Sequence, residues 1–203
     1  MNQIKLKGKI SGIEFSHTIN DIEYQKANLY VPKENAEEDI IPLKFRSNSN
    51  PGYKDGDIVV LDGNVRSYSQ KTSDGKSKVN IYVFSYLDPT EDLDIYNYFQ
   101  IDGRVCKVDR LRGTNSVPRF QFILANNIIS NLNKQKINNY LPVVLYNELS
   151  NWGTKLKVSD QVLIKGQLHS RFYKKIDNQG NVSSKMALEL VATDIEVLNE
   201  THI

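Results

Sequence analysis

The chain has little of what most enzymes and secreted proteins need. One cysteine, Cys106, stands among 203 residues, so no disulfide framework exists and a reducing, cytoplasmic setting is expected. Histidine is almost as scarce. His17, His169 and His202 are scattered, which leaves no raw material for a His/Cys zinc cluster. Long hydrophobic runs are missing too: no stretch approaches the roughly 18 apolar residues that cross a bilayer. Met1 to Lys9 is polar and basic with no apolar segment behind it, so neither a membrane association nor a signal peptide is expected. The motifs G-x-x-x-x-G-K-[ST], G-x-S-x-G, H-E-x-x-H and C-x-x-C are absent, and Gly56 is followed by Asp57 rather than lysine. Carboxylates in the second half are dispersed, with no visible ligand set for a two-metal centre. These absences point away from an enzyme, and no metal or cofactor is expected.

What remains is ordinary globular material, 39% hydrophobic and 25% charged, long enough for one large domain or two small ones. The net charge of +2 conceals an asymmetry. Residues 1–95 hold 12 Lys+Arg against 15 Asp+Glu, and residues 96–203 hold 14 against 9. A polyanion is therefore drawn mainly to the second half.

The chain also repeats itself. IKLKGKI from Ile4 to Ile10 is echoed by YFQIDGRV from Tyr98 to Val105, and DIIPLKF from Asp39 to Phe45 by NYLPVVLY from Asn139 to Tyr146. GDIVVLDGNV from Gly56 to Val65 then answers to SDQVLIKGQL from Ser159 to Leu168. The three blocks keep their order at offsets of 95, 100 and 103. Two related domains account for this, residues 1–91 and 96–200, with an acidic linker between Pro89 and Asp94.

Each copy reads as strands. Ile4, Leu6 and Ile10 alternate with polar residues around Gly8, the period of a half-buried strand. Short β-branched runs end at Gly63 and Gly166, where a strand needs a bend. Turn signals at Ser73 to Gly75 and Asp177 to Gly180 precede the final strands, Val79 to Phe84 and Met186 to Val191. Only Tyr146 to Leu156 looks helical. Five strands per copy with a glycine-bent first strand predict an all-β chain of two tandem OB-fold barrels. The rival architecture is a single large β-sandwich.

The second copy carries a resemblance. DGRVCKVDRLR from Asp102 to Arg112, VPRFQFILAN from Val117 to Asn126, LPVVLYNEL from Leu141 to Leu149 and KGQLHSRFY from Lys165 to Tyr173 resemble bacterial single-stranded DNA-binding proteins, block by block. Asn178 to Gly180 and LELVA from Leu188 to Ala192 stand where that family's glycine hairpin and last strand fall. The first half resembles, more faintly, tandem-barrel variants found on phages, plasmids and other mobile elements. The likeness implies non-catalytic binding and protection of single-stranded DNA in replication or recombination. One departure is noted. The sequence from Leu198 to Ile203 shows no Gly/Pro-rich tail with an acidic tip, so the resemblance does not imply a recruiting-hub role.

Binding an unpaired strand requires cations along the phosphates and flat rings under the bases. In the second copy the resemblance places stacking aromatics at Tyr140, Tyr146 and Tyr173. Strand alternation sends Arg171 and Tyr173 to one face and Phe172 to the other, so Tyr173 is expected on the strand and Phe172 inside. Lys174 and Lys175 continue into the hairpin, while Arg104, Arg110, Arg112 and Arg119 would line the first hairpin. Tyr146 follows an apolar run, which leaves a core position open, and Trp152 is expected to pack against the barrel. The first copy offers fewer equivalents: Arg66, Tyr68, Lys71 and Lys78. Its acidic loop from Glu34 to Asp39 would repel phosphate, so this domain is expected to bind less tightly or to serve assembly. Expected partners are single-stranded DNA, a primase, helicase or polymerase, and a second copy of the chain in a homodimer. The alternative function is an adaptor like primosomal replication protein N, acting mainly through protein contacts. A structural protein with occluded grooves is the other rival.

Overall fold

A computed structural model describes residues 1–34, 36–71, 75, 77–87, 97–109, 112–114, 117–129, 135–176 and 180–199. The first strand, β1 (Asn2–Ile19), sends Ile4, Leu6 and Ile10 inward and Lys5, Lys7 and Lys9 outward. It pairs antiparallel with β2 (Ile22–Val31), which continues to β3 (Asp39–Arg46). Next come β4 (Ile58–Lys71), antiparallel to β1, and β5 (Ser77–Tyr86), antiparallel to β4 and parallel to β3. That circuit is a closed Greek-key barrel, the OB-fold. The second half repeats it with β6 (Asn97–Val108), β8 (Val117–Ile129), β9 (Lys136–Tyr146), β10 (Gln161–Ile176) and β11 (Val182–Asn199), with a short β7 (Arg112–Thr114) beside β8. The stretch that looks helical in sequence is a 3-10 segment, Asn147–Thr154, and Trp152 on it packs against the core as expected. The expected linker, Pro89 to Asp94, lies outside the described residues.

The barrels share one sheet. β1 and β6 pair antiparallel from Asn2↔Ile101 to Leu6↔Asn97. Ile4 and Phe99, the central pair, are equivalent residues of the two copies, offset by 95. A pseudo-twofold axis therefore passes through them. Both are buried, and the core runs through them from one barrel to the other.

The same symmetry governs the polar joints. Asn2 accepts from the Val65 N–H (2.9 Å) and donates to the Val65 carbonyl (2.8 Å). Asn97 does the same to Leu168 at 2.9 and 2.7 Å. Across the seam, Ser67 N–H donates to Asn139 Oδ1 and Tyr140 N–H to Ser67 Oγ. Its mirror has Ser170 N–H donating to Asp39 Oδ1 and Ile40 N–H to Ser170 Oγ. One glycine position is also duplicated as a contact. A Cβ on Gly63 would stand 2.7 Å from the Phe84 carbonyl oxygen, and one on Gly166 would clash still more closely with that of Val191.

The mirror is imperfect at Asp39. The sequence assigns Asp39 to a phosphate-repelling loop, but the side chain is 0% exposed. Its charge is met by Lys33 Nζ and His169 Nδ1, each at 2.7 Å. The Lys33 ion pair thus offsets one of the loop's negative charges at the seam. Burial alone would push this carboxyl's pKa up. Hydrogen bonds from His169, Lys33 and the Ser170 N–H outweigh that and hold it below the usual carboxylate range.

Two outcomes follow from the comparison of copies. A carboxyl with a depressed folded pKa contributes stability in full above its unfolded value near 4, and loses it as pH falls further. Asp39→Asn, which installs the neutral residue found at position 139, is expected to cost about 1–2 kcal/mol at neutral pH. It should also flatten the decline in melting temperature below about pH 4. Thermal melts across pH 2–7 read both effects. The second outcome concerns Ser159, which holds φ 83° where its counterpart Gly56 holds φ 97°. Ser159 N–H bonds the Val105 carbonyl as Gly56 N–H bonds that of Ile10, both at 2.8 Å. Left-handed backbone strains a serine, so Ser159→Gly should stabilise the fold by about 0.5–1 kcal/mol, seen as a higher melting temperature.

Candidate nucleic-acid interface

A cleft of about 640 Å³ opens between the barrels. On the first barrel's side stand Lys26, ion-paired with Glu14 at 3.0 Å, and Lys44, Tyr68, Lys78 and Tyr82. Lys44 Nζ lies 5.6 Å from the Tyr68 ring centre and 4.9 Å from that of Tyr82, and the two rings are 6.0 Å apart. The rings are inclined at 58° to each other, and with the lysine they form one aromatic, positively charged patch of the kind that attracts bases and their phosphates.

The second barrel's wall is ionic. Arg119 and Arg171 both donate to Glu189 Oε1, each at 2.9 Å, and the Tyr146 hydroxyl donates to Oε2 at 3.4 Å. Glu189 lies on β11 between Leu188 and Leu190, whose side chains enter the core, so alternation turns its carboxylate outward. Covered by the arginines, it is only 8% exposed. Burial, and next the Glu189 charge, push the Tyr146 phenol up.

Register shows that the outward faces of the two barrels are diverged copies. Tyr24 opposes Arg46 in the first barrel, and Arg119 opposes Tyr146 in the second, the same pair with the strands exchanged. By their pairings, Arg66 and Tyr82 correspond to His169 and Glu189, and Tyr68 to Arg171. The first barrel therefore carries two cations and three tyrosines where the second carries two arginines, a histidine, a tyrosine and a carboxylate.

Of the residues singled out in the sequence, the cleft gathers Tyr68, Lys78, Arg119 and Arg171, with Tyr146 behind the arginines. Tyr173 is half-buried beneath the Arg171 guanidinium, 5.6 Å from the ring centre. Lys71 and Lys174 are exposed at the hairpin ends of β4 and β10. Tyr140 is exposed at the seam, and Arg66 lies 3.8 Å over the Phe84 ring. Arg104 stands apart, in a shallow depression with Asp102 and Gln161. Arg110 and the side chains of Arg112 and Lys175 lie outside the described residues. Phe172 departs from expectation: it is 52% exposed rather than inside. It does share the inward face with Leu168, but β10 runs past the end of the barrel there and meets no core.

Lys26, Lys44, Tyr82 and Glu189 were not legible as site residues. Glu189 had one available signal, a lone carboxylate in the apolar run from Met186 to Ala192. Among the described residues, no group of three His, Cys, Asp or Glu side chains could hold a metal ion, and no helix is long and apolar enough to cross a membrane.

Comparison with known proteins now adds to this geometry. Residues 96–198 match the model of the single-strand binding protein family. The chain belongs to that family. A deletion variant of the single-stranded DNA-binding protein from Thermus aquaticus has the same fold, with TM-score 0.70 and 18% identity over 100% of this chain and 97% of that one. The wild-type protein from the same organism gives TM-score 0.70 and 17% identity, over 100% and 95%. At these identities the likeness shows the shared architecture alone. No curated protein sequence matches the chain.

The Glu189 cluster has a thermodynamic signature. Glu189→Gln leaves two guanidinium groups facing each other, and should destabilise the chain by about 1–2 kcal/mol in low salt. The loss should shrink as added salt screens the repulsion, read from melting temperatures at two ionic strengths.

Proposed function

We propose that this single-strand binding family member binds single-stranded DNA in the cleft between its barrels, without catalysis. The observation that carries the reading is the cleft wall: cations from both barrels and two tyrosines from the first line one channel. Phosphates would take the lysines and arginines, and bases would lie on Tyr68 and Tyr82. Affinity of this kind does not read sequence, because every base has a π-face. In this reading the chain holds the strand open and protects it during replication or recombination of a phage, plasmid or other mobile element, in the cytoplasm. Its two domains, 1–91 and 96–200, supply two barrels per chain, and a homodimer would present four.

Anisotropy titration of labelled oligo(dT) tests this. Binding is expected, with affinity falling on a log–log salt plot by about 0.7 per phosphate neutralised, and duplex DNA should bind far more weakly. Tyr68→Ala should weaken binding with the slope unchanged, whereas Arg171→Ala should flatten it. Failure of the wild-type chain to bind oligo(dT) in low salt would sink the proposal.

A further inference from the structure

A second depression, about 390 Å³, lies on the outer face of the first barrel. Tyr24, Arg46, Asn64, Arg66, Phe84 and Tyr86 line it, and Ile128 and Ile129 of the second barrel close one end. Its two arginines differ from those of the cleft. Among the described residues, neither Arg46 nor Arg66 has a carboxylate within ion-pair distance, while Arg119 and Arg171 share Glu189. The Nε atoms of Arg46 and Arg66 are buried with no hydrogen-bond partner among the described residues. Arg119 Nε is in the same condition, but a terminal nitrogen of that side chain is committed to Glu189.

The position is also pre-organised. Arg66 lies over Phe84, its Cζ 3.8 Å from the ring centre, with Tyr82 beside it, so the guanidinium is held in place before any ligand arrives. A guanidinium so held presents the edge that suits a phosphate's two oxygens. Phe84 in turn packs edge-on against Tyr86, ring centres 5.8 Å apart, and Tyr86 is 41% exposed. On β5, Tyr82 and Tyr86 flank Phe84 on one face, Tyr82 at the cleft and Tyr86 in the second depression. A row of rings and cations thus joins the two hollows.

Resting on the single-stranded DNA reading, we infer that the first barrel holds the main phosphate grip on the strand. Arg46 and Arg66 bind backbone phosphate in the second depression, and Tyr86 takes a base. The strand continues across Tyr82 and Lys44 into the cleft. Arg119 and Arg171 contribute less, because a phosphate must displace Glu189 to reach them. The net charges, −3 and +5 for the two halves, suggest the reverse ranking. Screening decides between them: beyond a Debye length of about 8 Å the sum over a domain matters less than the unpaired cations at the contact.

The test compares two variants of the full chain against labelled oligo(dT). One is Arg46→Gln with Arg66→Gln. The other is Arg119→Gln, Arg171→Gln and Glu189→Gln, which removes the second cluster without leaving a bare carboxylate. The first should lose about tenfold or more in affinity and about 1.4 in salt slope, two phosphate contacts' worth. The second should lose less than about threefold. An equal or reversed ranking overturns the inference but leaves strand binding standing, and absent wild-type binding removes both. Should the first variant fail to fold, photocrosslinking of wild-type chain to oligo(dT) decides. Adducts on the peptide carrying Phe84 and Tyr86 support the inference, and adducts confined to the second barrel overturn it.

Discussion

Five residue pairs between β1 and β6 make one molecule of two barrels. Each barrel could close without them, since β1 also pairs with β2 and β4, and β6 with β8 and β10. The extra ladder, centred on Ile4 and Phe99, fixes the second barrel as the first turned about an axis through that pair. Everything else at the interface inherits this geometry. The Ser67–Asn139 and Ser170–Asp39 bridges are the same contact generated twice. The walls of the cleft are set by it too: Tyr68 and Arg171 each follow directly on a seam serine, so the bonds that hold the barrels together also hold these two side chains opposite each other.

Repetition made much of the fold readable. Blocks recurring at offsets of 95, 100 and 103 are the β1/β6, β3/β9 and β4/β10 equivalences. They could be read because strand cores and the close approach at Gly63 and Gly166 constrain residue type tightly. The site was less legible for a physical reason. Alternation says that Tyr68 and Arg171 share an outward face, but not that the two faces meet across a cleft. It cannot say that Asp39 is hydrogen-bonded to His169, 130 positions away. Phe172 shows the opposite failure. Its parity was inward, but a strand's inner face has a core only as far as the barrel extends.

The departures from symmetry fall where function and stability divide. At core positions the copies keep their character: Leu6 and Ile101 are both buried, as are Val65 and Leu168. At the polar positions around the seam and on the outward strand faces they part. Glu189 stands for Tyr82, Arg119 for Tyr24 and Asp39 for Asn139. Each exchange alters charge without altering the backbone, so the ladder registers survive.

Covalent linkage explains why such divergence is tolerated. Two separate identical barrels meeting about a true twofold must place the same residue at both equivalent sites. Asp39 would then recur at the second seam, requiring a second lysine and histidine as its partners. Glu189 would recur on both walls and add a carboxylate at the position of Tyr82. Joining the copies in one chain removes this constraint, because each sequence is seated in only one place. It also makes the barrels' encounter intramolecular, at an effective concentration on the order of millimolar for a short linker. The seam can then be small and still persist. One copy is free to keep its arginines open while the other ties its own to a carboxylate.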